Sequence, residues 1–239
     1  MIRCSVSDRA RIYAIGDIHG RVDLLRRLVR AIEADFRDSP TADCLTVTLG
    51  DYIDRGPNSR GVIELLIQNP FPTPYVALKG NHEALLERFL VEPIVAKDWR
   101  YCGGLETLQS YGVDVHHVMR GRHYDAAAEA LAAAMPSSHL GFLQNLRLSL
   151  ASDRYFFCHA GVRPGTPLSA QSEDDLLWIR EDFLGSRVKF GKIIVHGHSP
   201  VAEPEIQVNR VNVDTGAFIT GRLTCAVLEG ERIRFLSAI

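Results

Sequence analysis

Short runs of β-branched and aromatic residues recur along the chain, and several end in a polar stretch that contains glycine. Runs of this length and composition are typical of buried strands. Between them, apolar residues recur at helical spacing, and Asn69-Pro70 ends the second helical stretch. The alternation of strand and helix over the first 90 residues predicts a parallel α/β layer. The predicted strands are residues 11–15, 44–49, 75–78, 155–157 and 193–195.

The remaining elements are predicted from weaker patterns. Residues 93–147 carry no motif that we assign to chemistry, and their alanine-rich stretch, 125–134, favours helix, so they are predicted to form a mainly helical insertion. Residues 148–150 and 155–158 are predicted to pair as a hairpin. Val208 and residues 211–213, 223–228 and 233–236 are predicted to be closing antiparallel strands. No linker divides the chain, which predicts one domain over residues 1–239.

Composition and charge argue against several classes of protein. With 46% hydrophobic and 23% charged residues, the chain supports a sizeable core, and a net charge of −2 argues against nucleic acid as a partner. No apolar run approaches the roughly 18 residues that span a bilayer. Charge returns at Asp8, Arg9 and Arg11, which argues against a signal peptide. We therefore expect a cytoplasmic protein without a membrane partner, and the sequence leaves its oligomeric state open.

The cysteines indicate neither a disulfide framework nor a zinc site. They are widely spaced and form no C-x-x-C pair. We expect buried free thiols in a reducing compartment. The five residues are Cys4, Cys44, Cys102, Cys158 and Cys225.

Five motifs with metal-binding side chains stand at the ends of predicted strands. Strands in one sheet would bring all five to one edge, where open α/β sheets bind ligands. Singly, Asp17 also fits a turn or helix cap, His159 a core imidazole and Asn81 a turn. Compatible donors at five strand ends together predict a metal site. The motifs are residues 16–20 (GDIHG), 50–56 (GDYIDRG), 80–83 (GNHE), 159–161 (HAG) and 196–200 (HGHSP).

The donors divide into two sets that share one carboxylate. Asp17 and His19 are two residues apart, so in extended geometry they would point the same way and share one cation. The two oxygens of Asp51 can bridge two ions about 3.5–4 Å apart. Mixed oxygen and nitrogen donors suit Mn²⁺, Fe or Zn²⁺ better than Ca²⁺, so we expect two divalent ions per chain, with Mn²⁺ as the leading expectation. The second set is Asp51, Asn81, His159 and His198.

The series D-x-H, G-D-x-x-D-R-G, G-N-H-E, H-A-G and G-H, spread over residues 16–200, resembles the calcineurin-like metallophosphoesterases. Within them it resembles the phosphoprotein phosphatase branch, bacterial type, and up to the third motif it also resembles the symmetrical diadenosine tetraphosphate hydrolases. The resemblance implies two mixed β-sheets packed as a sandwich and flanked by helices. It also implies the two ligand sets given above, with Asp51 completing the first.

The resemblance also implies roles for residues beside the metals. His82 would be the general acid that protonates the leaving oxygen, oriented by Asp54, and Arg55 would hold phosphate oxygens. Asn81 and His82 would both contact substrate. A second phosphate-binding arginine is implied, for which we favour Arg180 over Arg163, although Arg180 also fits the solvated face of a helix. The attacking group would be a water or hydroxide bridging the two metals, without a covalent intermediate.

The last two motifs leave three roles open. Proline, at position 200, stands where many relatives carry a second histidine, which implies a more open shell for the first metal. His196 is interpreted as a core residue or as support for a ligand. Asp214, after a late strand, is interpreted either as orienting a ligand histidine or as part of a plain turn.

Three functions follow from this pattern. The leading hypothesis is hydrolysis of phosphate monoesters, with phosphoserine or phosphothreonine in proteins as the expected substrate. The second keeps the metal centre and changes the substrate to a symmetrical dinucleoside polyphosphate such as diadenosine tetraphosphate. The third is a catalytically silent module that binds phosphorylated partners. It is the weakest because every expected ligand and His82 are present.

Overall fold

The computed structural model describes residues 10–239, so the predicted free thiol of Cys4 lies outside the described residues. Across residues 10–239, ten strands form two five-stranded sheets. The strands are β1 (Arg11–Ile15), β2 (Cys44–Thr48), β3 (Tyr75–Ala77), β4 (Ser149–Ala151), β5 (Tyr155–Cys158), β6 (Ile193–His196), β7 (Glu205–Ile206), β8 (Arg210–Asn212), β9 (Leu223–Glu229) and β10 (Arg232–Ala238).

Helices connect the strands, and none of those within residues 10–239 has the length and apolar character needed to cross a membrane. Two short 3₁₀ helices lie at Pro93–Val95 and Leu168–Ala170. Residues 93–147 are mainly helical, with their helices ending at Gln144. That this segment is an insertion within one domain stays a prediction. The α-helices are α1 (Val22–Asp38), α2 (Ser59–Ile67), α3 (Asn81–Val91), α4 (Ala96–Trp99), α5 (Gly104–Ser110), α6 (His116–Met119), α7 (Tyr124–Ala134), α8 (Ser137–Gln144), α9 (Glu173–Trp178), α10 (Glu181–Leu184) and α11 (Ala217–Thr220).

Both sheets are mixed. The first has the order β10-β9-β1-β2-β3, in which β1, β2 and β3 are parallel and β9 runs antiparallel to β1 and β10. The second has the order β4-β5-β6-β8-β7, in which β5, β6 and β8 are parallel and β4 and β7 are antiparallel to their neighbours. This confirms the two mixed sheets flanked by helices that the resemblance implies.

Alternation along β1 shows how the layers pack. Ile12 and Ala14 join a buried cluster that includes Phe157 and Val195 of the second sheet, so these side chains fill the space between the sheets. Tyr13 points the other way, into a larger cluster with the helices of the first layer. The outer face of the second sheet is covered by residues of α9 and α10. The protein is therefore layered as helices, sheet, sheet and helices.

Three expectations about the strands are wrong. The five motif-bearing strands do not share one sheet, because β5 and β6 belong to the second sheet. The strand over 211–213 is also not simply a closing antiparallel strand, since β8 pairs parallel to β6 and antiparallel to β7. Val208 lies outside the strands and is 69% exposed. A local pattern identifies a strand without identifying its partner.

The cysteines within residues 10–239 form no disulfide. Cys158 and Cys225 are buried, as expected, whereas Cys44 is half-buried. Cys102 is exposed, so the expectation of a buried thiol is wrong there. It lies in the turn that follows α4, where the chain runs along the surface.

Candidate metal centre

The loops that follow β1, β2 and β3 meet the loops that follow β5 and β6. The His198 backbone N–H donates to Asp17 Oδ2 over 3.0 Å, which joins the first motif to the last. Asn81 Oδ1 lies 2.8 Å from His159 Nε2, which joins the third motif to the fourth. Both sheets therefore contribute to one site at the carboxyl ends of their parallel strands.

Several of these loops have left-handed backbone conformations. The sequence suggested an extended segment for Asp17 and His19. The structure differs, because His19 is left-handed with φ of 44°. The backbone N–H groups of Ile18 and His19 both donate to the Asp51 carbonyl, which bends the chain. Asp51 and His198, with φ of 52° and 65°, are also left-handed. Each such residue costs about 1–2 kcal/mol, and strain of this kind concentrates at functional sites.

Asp51 lies at the centre of the site. Its Oδ2 is 3.4 Å from His19 Nε2, and its Oδ1 is 3.4 Å from His159 Nε2. The other ring nitrogen of each histidine contacts a backbone carbonyl, Ile53 O at 2.8 Å for His19 and Leu49 O at 2.9 Å for His159. Because a carbonyl only accepts, Nδ1 carries the proton and Nε2 presents a lone pair toward Asp51, the arrangement typical of metal-binding histidines.

Two groups of side chains place their donor atoms within 4.8 Å of one another. One contains Asp51, His159 and His198, which belong to the predicted second ligand set. Asn81 joins them, since its Oδ1 is 3.0 Å from His198 Nδ1. The other contains His19, Asp51 and His82. His82 was not predicted as a ligand, and its Nδ1 is occupied by a carboxylate.

Asp17 lies beside a second acidic residue. Its carboxyl group shares a hydrogen bond with Asp214, so Asp214 contacts a carboxylate and not a ligand histidine. Asp214 Oδ1 also accepts from the Gly216 backbone N–H over 2.9 Å, as in a turn. Burial, followed by the charges of Asp214 and Asp51, raises the pKa of Asp17 well above its usual value.

The charges of this site fit a cation. Burial lowers the pKa of His19 to about 3 and that of His198 to about 2, and it also lowers the pKa of His159, so these imidazoles are neutral at neutral pH, the form in which an imidazole can bind a metal. Burial raises the pKa of Asp214 to about 6. Neutral lone pairs and crowded carboxylates face one another here, on side chains that are 0–6% exposed. Bound cations would relieve this repulsion.

His82 and Asp54 form a buried pair beside Asp51. His82 Nδ1 lies 2.6 Å from Asp54 Oδ2, so the predicted contact is present. Burial disfavours a charged imidazole, but the carboxylates of Asp51 and Asp54 outweigh burial and raise the pKa of His82 to about 9. Two further donors hold Asp54: Trp99 Nε1 at 2.6 Å and Thr107 Oγ1 at 2.5 Å. Both lie in residues 93–147, a segment in which we assigned no sequence motif to the site.

Glu83, like Trp99 and Thr107, supports the site in a way that the sequence did not predict. Its carboxylate accepts from the backbone N–H groups of Gly80, Asp51 and Tyr52 at 2.8–2.9 Å. It thus ties the loop after β2 to the start of α3, which carries Asn81 and His82. Burial and the charge of Asp51 raise the pKa of Glu83 to about 8. Its place in the GNHE motif was the available signal.

The arginines differ in their access to the site. Arg55 Nη2 lies 3.3 Å from His82 Nε2, and its guanidinium stacks on Phe218 with 4.6 Å to the ring centroid. Arg180 lies at the start of α10, where Nε contacts His198 Nε2 at 3.1 Å. Arg163 instead pairs with Asp175 and Asp182 at 2.6 Å and 3.2 Å. Arg55 and Arg180 therefore border the centre, whereas Arg163 is held elsewhere.

His196 is packed in the core of the second layer. Its ring meets Phe183 edge to face with 5.0 Å between centroids, and its Nδ1 lies 3.0 Å from the Gly197 carbonyl. Burial lowers the pKa of His196 to about 3, so it is a neutral core imidazole. The structure favours the core interpretation over contact with a ligand.

Comparison with known proteins defines the class. Residues 10–223 match the family model for calcineurin-like phosphoesterases, and the chain belongs to this metallophosphoesterase family, whose members are hydrolases that use divalent metals. Serine/threonine-protein phosphatase 2 of Salmonella typhimurium is 27% identical over 224 residues, covering 89% of this chain and 90% of that protein. An asymmetrical bis(5'-nucleosyl)-tetraphosphatase, PrpE, of Anoxybacillus flavithermus is 27% identical over 231 residues, with 88% and 87% covered.

Solved structures share the fold. A chain described as a candidate diadenosine tetraphosphatase aligns with a TM-score of 0.67 at 20% identity, covering all of this chain and 96% of that one. A protein serine/threonine phosphatase from Saccharomyces cerevisiae aligns with a TM-score of 0.56 at 15% identity, with 97% and 80% covered. At these identities the likeness concerns the fold alone.

Proposed function

We propose that the chain is a dinuclear-metal phosphatase that hydrolyses phosphate monoesters, with phosphoserine and phosphothreonine in proteins as its substrates. The observation that carries the proposal is the convergence of lone pairs and carboxylates on Asp51, with the buried His82–Asp54 pair beside them. Asp17, His19 and Asp51 would hold one ion, and Asp51, Asn81, His159 and His198 the other. Manganese is the metal we favour, and a cytoplasmic location stays a prediction from the sequence.

Bound in these positions, two divalent ions supply Lewis acidity, which acidifies water and offsets charge on a phosphoryl group. The remaining chemistry falls to the protein. His82 carries a proton toward the leaving oxygen on Nε2, while Asp54 holds its Nδ1–H. Protonation of the leaving group matters because alkoxide leaving groups, such as those of serine and threonine, are strongly basic.

Arg55 couples phosphate binding to the acid form of His82. Its Nη2 lies 3.3 Å from His82 Nε2, and a guanidinium only donates, so this contact is a hydrogen bond only while Nε2 carries no proton. When His82 carries the proton, Arg55 must donate elsewhere, and a phosphate oxygen is the acceptor it suits best. Arg180, which contacts His198, is the second arginine that we propose for the phosphate.

The second candidate function keeps the same centre and changes the substrate to a dinucleoside polyphosphate. It is favoured by relatives: PrpE proteins match this chain at 26–28% identity, close to the 27–28% of the protein phosphatases. Those relatives are named asymmetrical, whereas the sequence pattern suggested the symmetrical class.

A direct comparison of substrates tests the proposal. Turnover of phosphoserine peptides, p-nitrophenyl phosphate and diadenosine tetraphosphate is measured with saturating Mn²⁺, with Asp51→Asn as the blank. We expect the phosphopeptide to have the highest kcat/KM. A strong preference for diadenosine tetraphosphate would replace the substrate assignment, and its cleavage pattern would separate symmetrical from asymmetrical products. Binding of phosphopeptide without hydrolysis of any of the three would favour the silent module.

A further inference from the structure

The Asp54 carboxylate is held by three donors, of which two come from the helical segment after α3. Oδ2 accepts from His82 Nδ1 and Trp99 Nε1, each at 2.6 Å, and Oδ1 accepts from Thr107 Oγ1 at 2.5 Å. Asp54, Trp99 and Thr107 are 0–1% exposed. Water therefore has no access to replace a missing donor, and the carboxylate depends on these side chains for its solvation.

The same segment holds the backbone that carries Asp54 and Arg55. Both residues are left-handed, with φ of 70° and 66°. The Asp54 backbone N–H donates to Thr107 Oγ1 at 2.9 Å, and the Arg55 backbone N–H donates to the Gly103 carbonyl at 3.1 Å. Thr107 thus contacts Asp54 twice, through the backbone and through the carboxylate.

We propose that Trp99 and Thr107 are positioning residues for His82 and act on it through Asp54. The proposal rests on the proposed function, in which His82 is the proton donor. With one carboxylate oxygen bonded to Trp99 and the other to Thr107, rotation of the carboxylate would break both bonds. Oδ2 is therefore fixed against Nδ1, and the ring is held with Nε2 toward Asp51 and Arg55.

A leaving-group series separates positioning from general support of the fold. A positioned acid matters most when the leaving group is basic, so the variants are assayed on phenyl phosphate, a poor leaving group, and p-nitrophenyl phosphate, a good one. Thr107→Val removes the hydroxyl at nearly constant shape, and Thr107→Ser restores it. Trp99→Phe removes the N–H. Thr46→Val is the matched control, because Thr46 is also fully buried and its hydroxyl contacts Thr73 at 2.6 Å, outside the site.

We expect Thr107→Val and Trp99→Phe each to lower kcat for phenyl phosphate about 10-fold and to change kcat for p-nitrophenyl phosphate less than about 2-fold, with KM unchanged. Thr107→Ser should recover the parent ratio of the two rates, and Thr46→Val should not alter that ratio. His82→Asn should show the same selectivity more strongly, by roughly 100-fold or more. Adding Thr107→Val to His82→Asn should cause no further selective loss, because the acid is already gone.

The outcomes distinguish the two proposals. Equal losses on both substrates in Thr107→Val and Trp99→Phe, beside a selective loss in His82→Asn, would overturn the positioning role and leave the proposed function standing. If His82→Asn also loses the same factor on both substrates, His82 is not the general acid. The positioning role of Trp99 and Thr107 would then be overturned together with that part of the proposed function.

A second readout needs no turnover. In the Zn²⁺-loaded protein, the proton between His82 Nδ1 and Asp54 should give a downfield NMR signal that exchanges slowly with water. Thr107→Val should shift this signal upfield and broaden it, and Thr46→Val should leave it in place. An unchanged signal in Thr107→Val would contradict the proposal even where the variant is less stable.

Discussion

Asp51→Asn tests the shared carboxylate, because Asp51 belongs to both groups of donor side chains whereas His19 and His198 belong to one each. The substitution keeps the shape of the side chain and removes one negative charge. For unit charges about 4 Å apart at an effective dielectric of about 20, that charge contributes about 4 kcal/mol of attraction. A loss of this size weakens binding roughly 1,000-fold for each ion, and more for a divalent one.

Metal analysis after equilibrium dialysis measures the effect. With Mn²⁺ at a concentration that just saturates the parent protein, we expect two ions per chain in the parent and one in each of His19→Ala and His198→Ala. Asp51→Asn should retain neither. Asp35→Asn, which removes a half-buried carboxylate outside the site, serves as the control and should retain both. Two tightly bound ions in Asp51→Asn would refute the bridge, even if activity were lost.

Three further predictions concern other parts of the protein. Arg55→Ala should lower kcat/KM about 100-fold, because two charge-assisted hydrogen bonds to phosphate contribute about 3 kcal/mol together. Arg55→Lys should recover only part of this loss. Equal kcat/KM in the parent, Arg55→Ala and Arg55→Lys would contradict a role of Arg55 in binding phosphate. Asp35 accepts from Tyr13 and Arg234 at 2.7 Å each, and these bonds outweigh burial and hold the pKa of Asp35 below its usual value. Asp35 therefore stabilises the fold above about pH 4, and Asp35→Asn should lower the free energy of unfolding by about 2 kcal/mol at pH 7. This difference from the parent should shrink as the pH falls through the lowered pKa of Asp35. A difference that stays constant down to pH 2 in urea unfolding would contradict the role of the charged form. Phe157→Ala should lower the free energy of unfolding by about 3–5 kcal/mol, since the ring is fully buried between the sheets, and a loss below about 1 kcal/mol would argue against that packing.

The positions of the donor side chains could be predicted from the sequence because each lies close to a strand end. A run such as residues 11–15 is recognisable from its own composition, and the motif beside it is then placed at a strand terminus. His19 shows the limit of that reasoning. Its left-handed backbone arises from bonds to the Asp51 carbonyl, 32 residues further along the chain, and no local pattern reports them.

Contacts between distant segments account for what the sequence did not predict. Trp99 and Thr107 lie 45 and 53 residues from Asp54, and neither belongs to a motif that marks it as part of the site. The residues of a strand likewise do not determine by themselves which strand it pairs with. For this reason β5 and β6 were expected in one sheet with β1, β2 and β3, although they form the core of a second sheet.

Anomalous scattering from crystals grown with Mn²⁺ would test the shared metal centre most directly. Two peaks should appear beside Asp51, one next to His19 and Asp17 and the other next to Asn81, His159 and His198, with one Asp51 oxygen or both between them. A single peak, peaks away from Asp51, or no bound metal at saturating Mn²⁺ would contradict the dinuclear centre on which the proposed phosphatase depends.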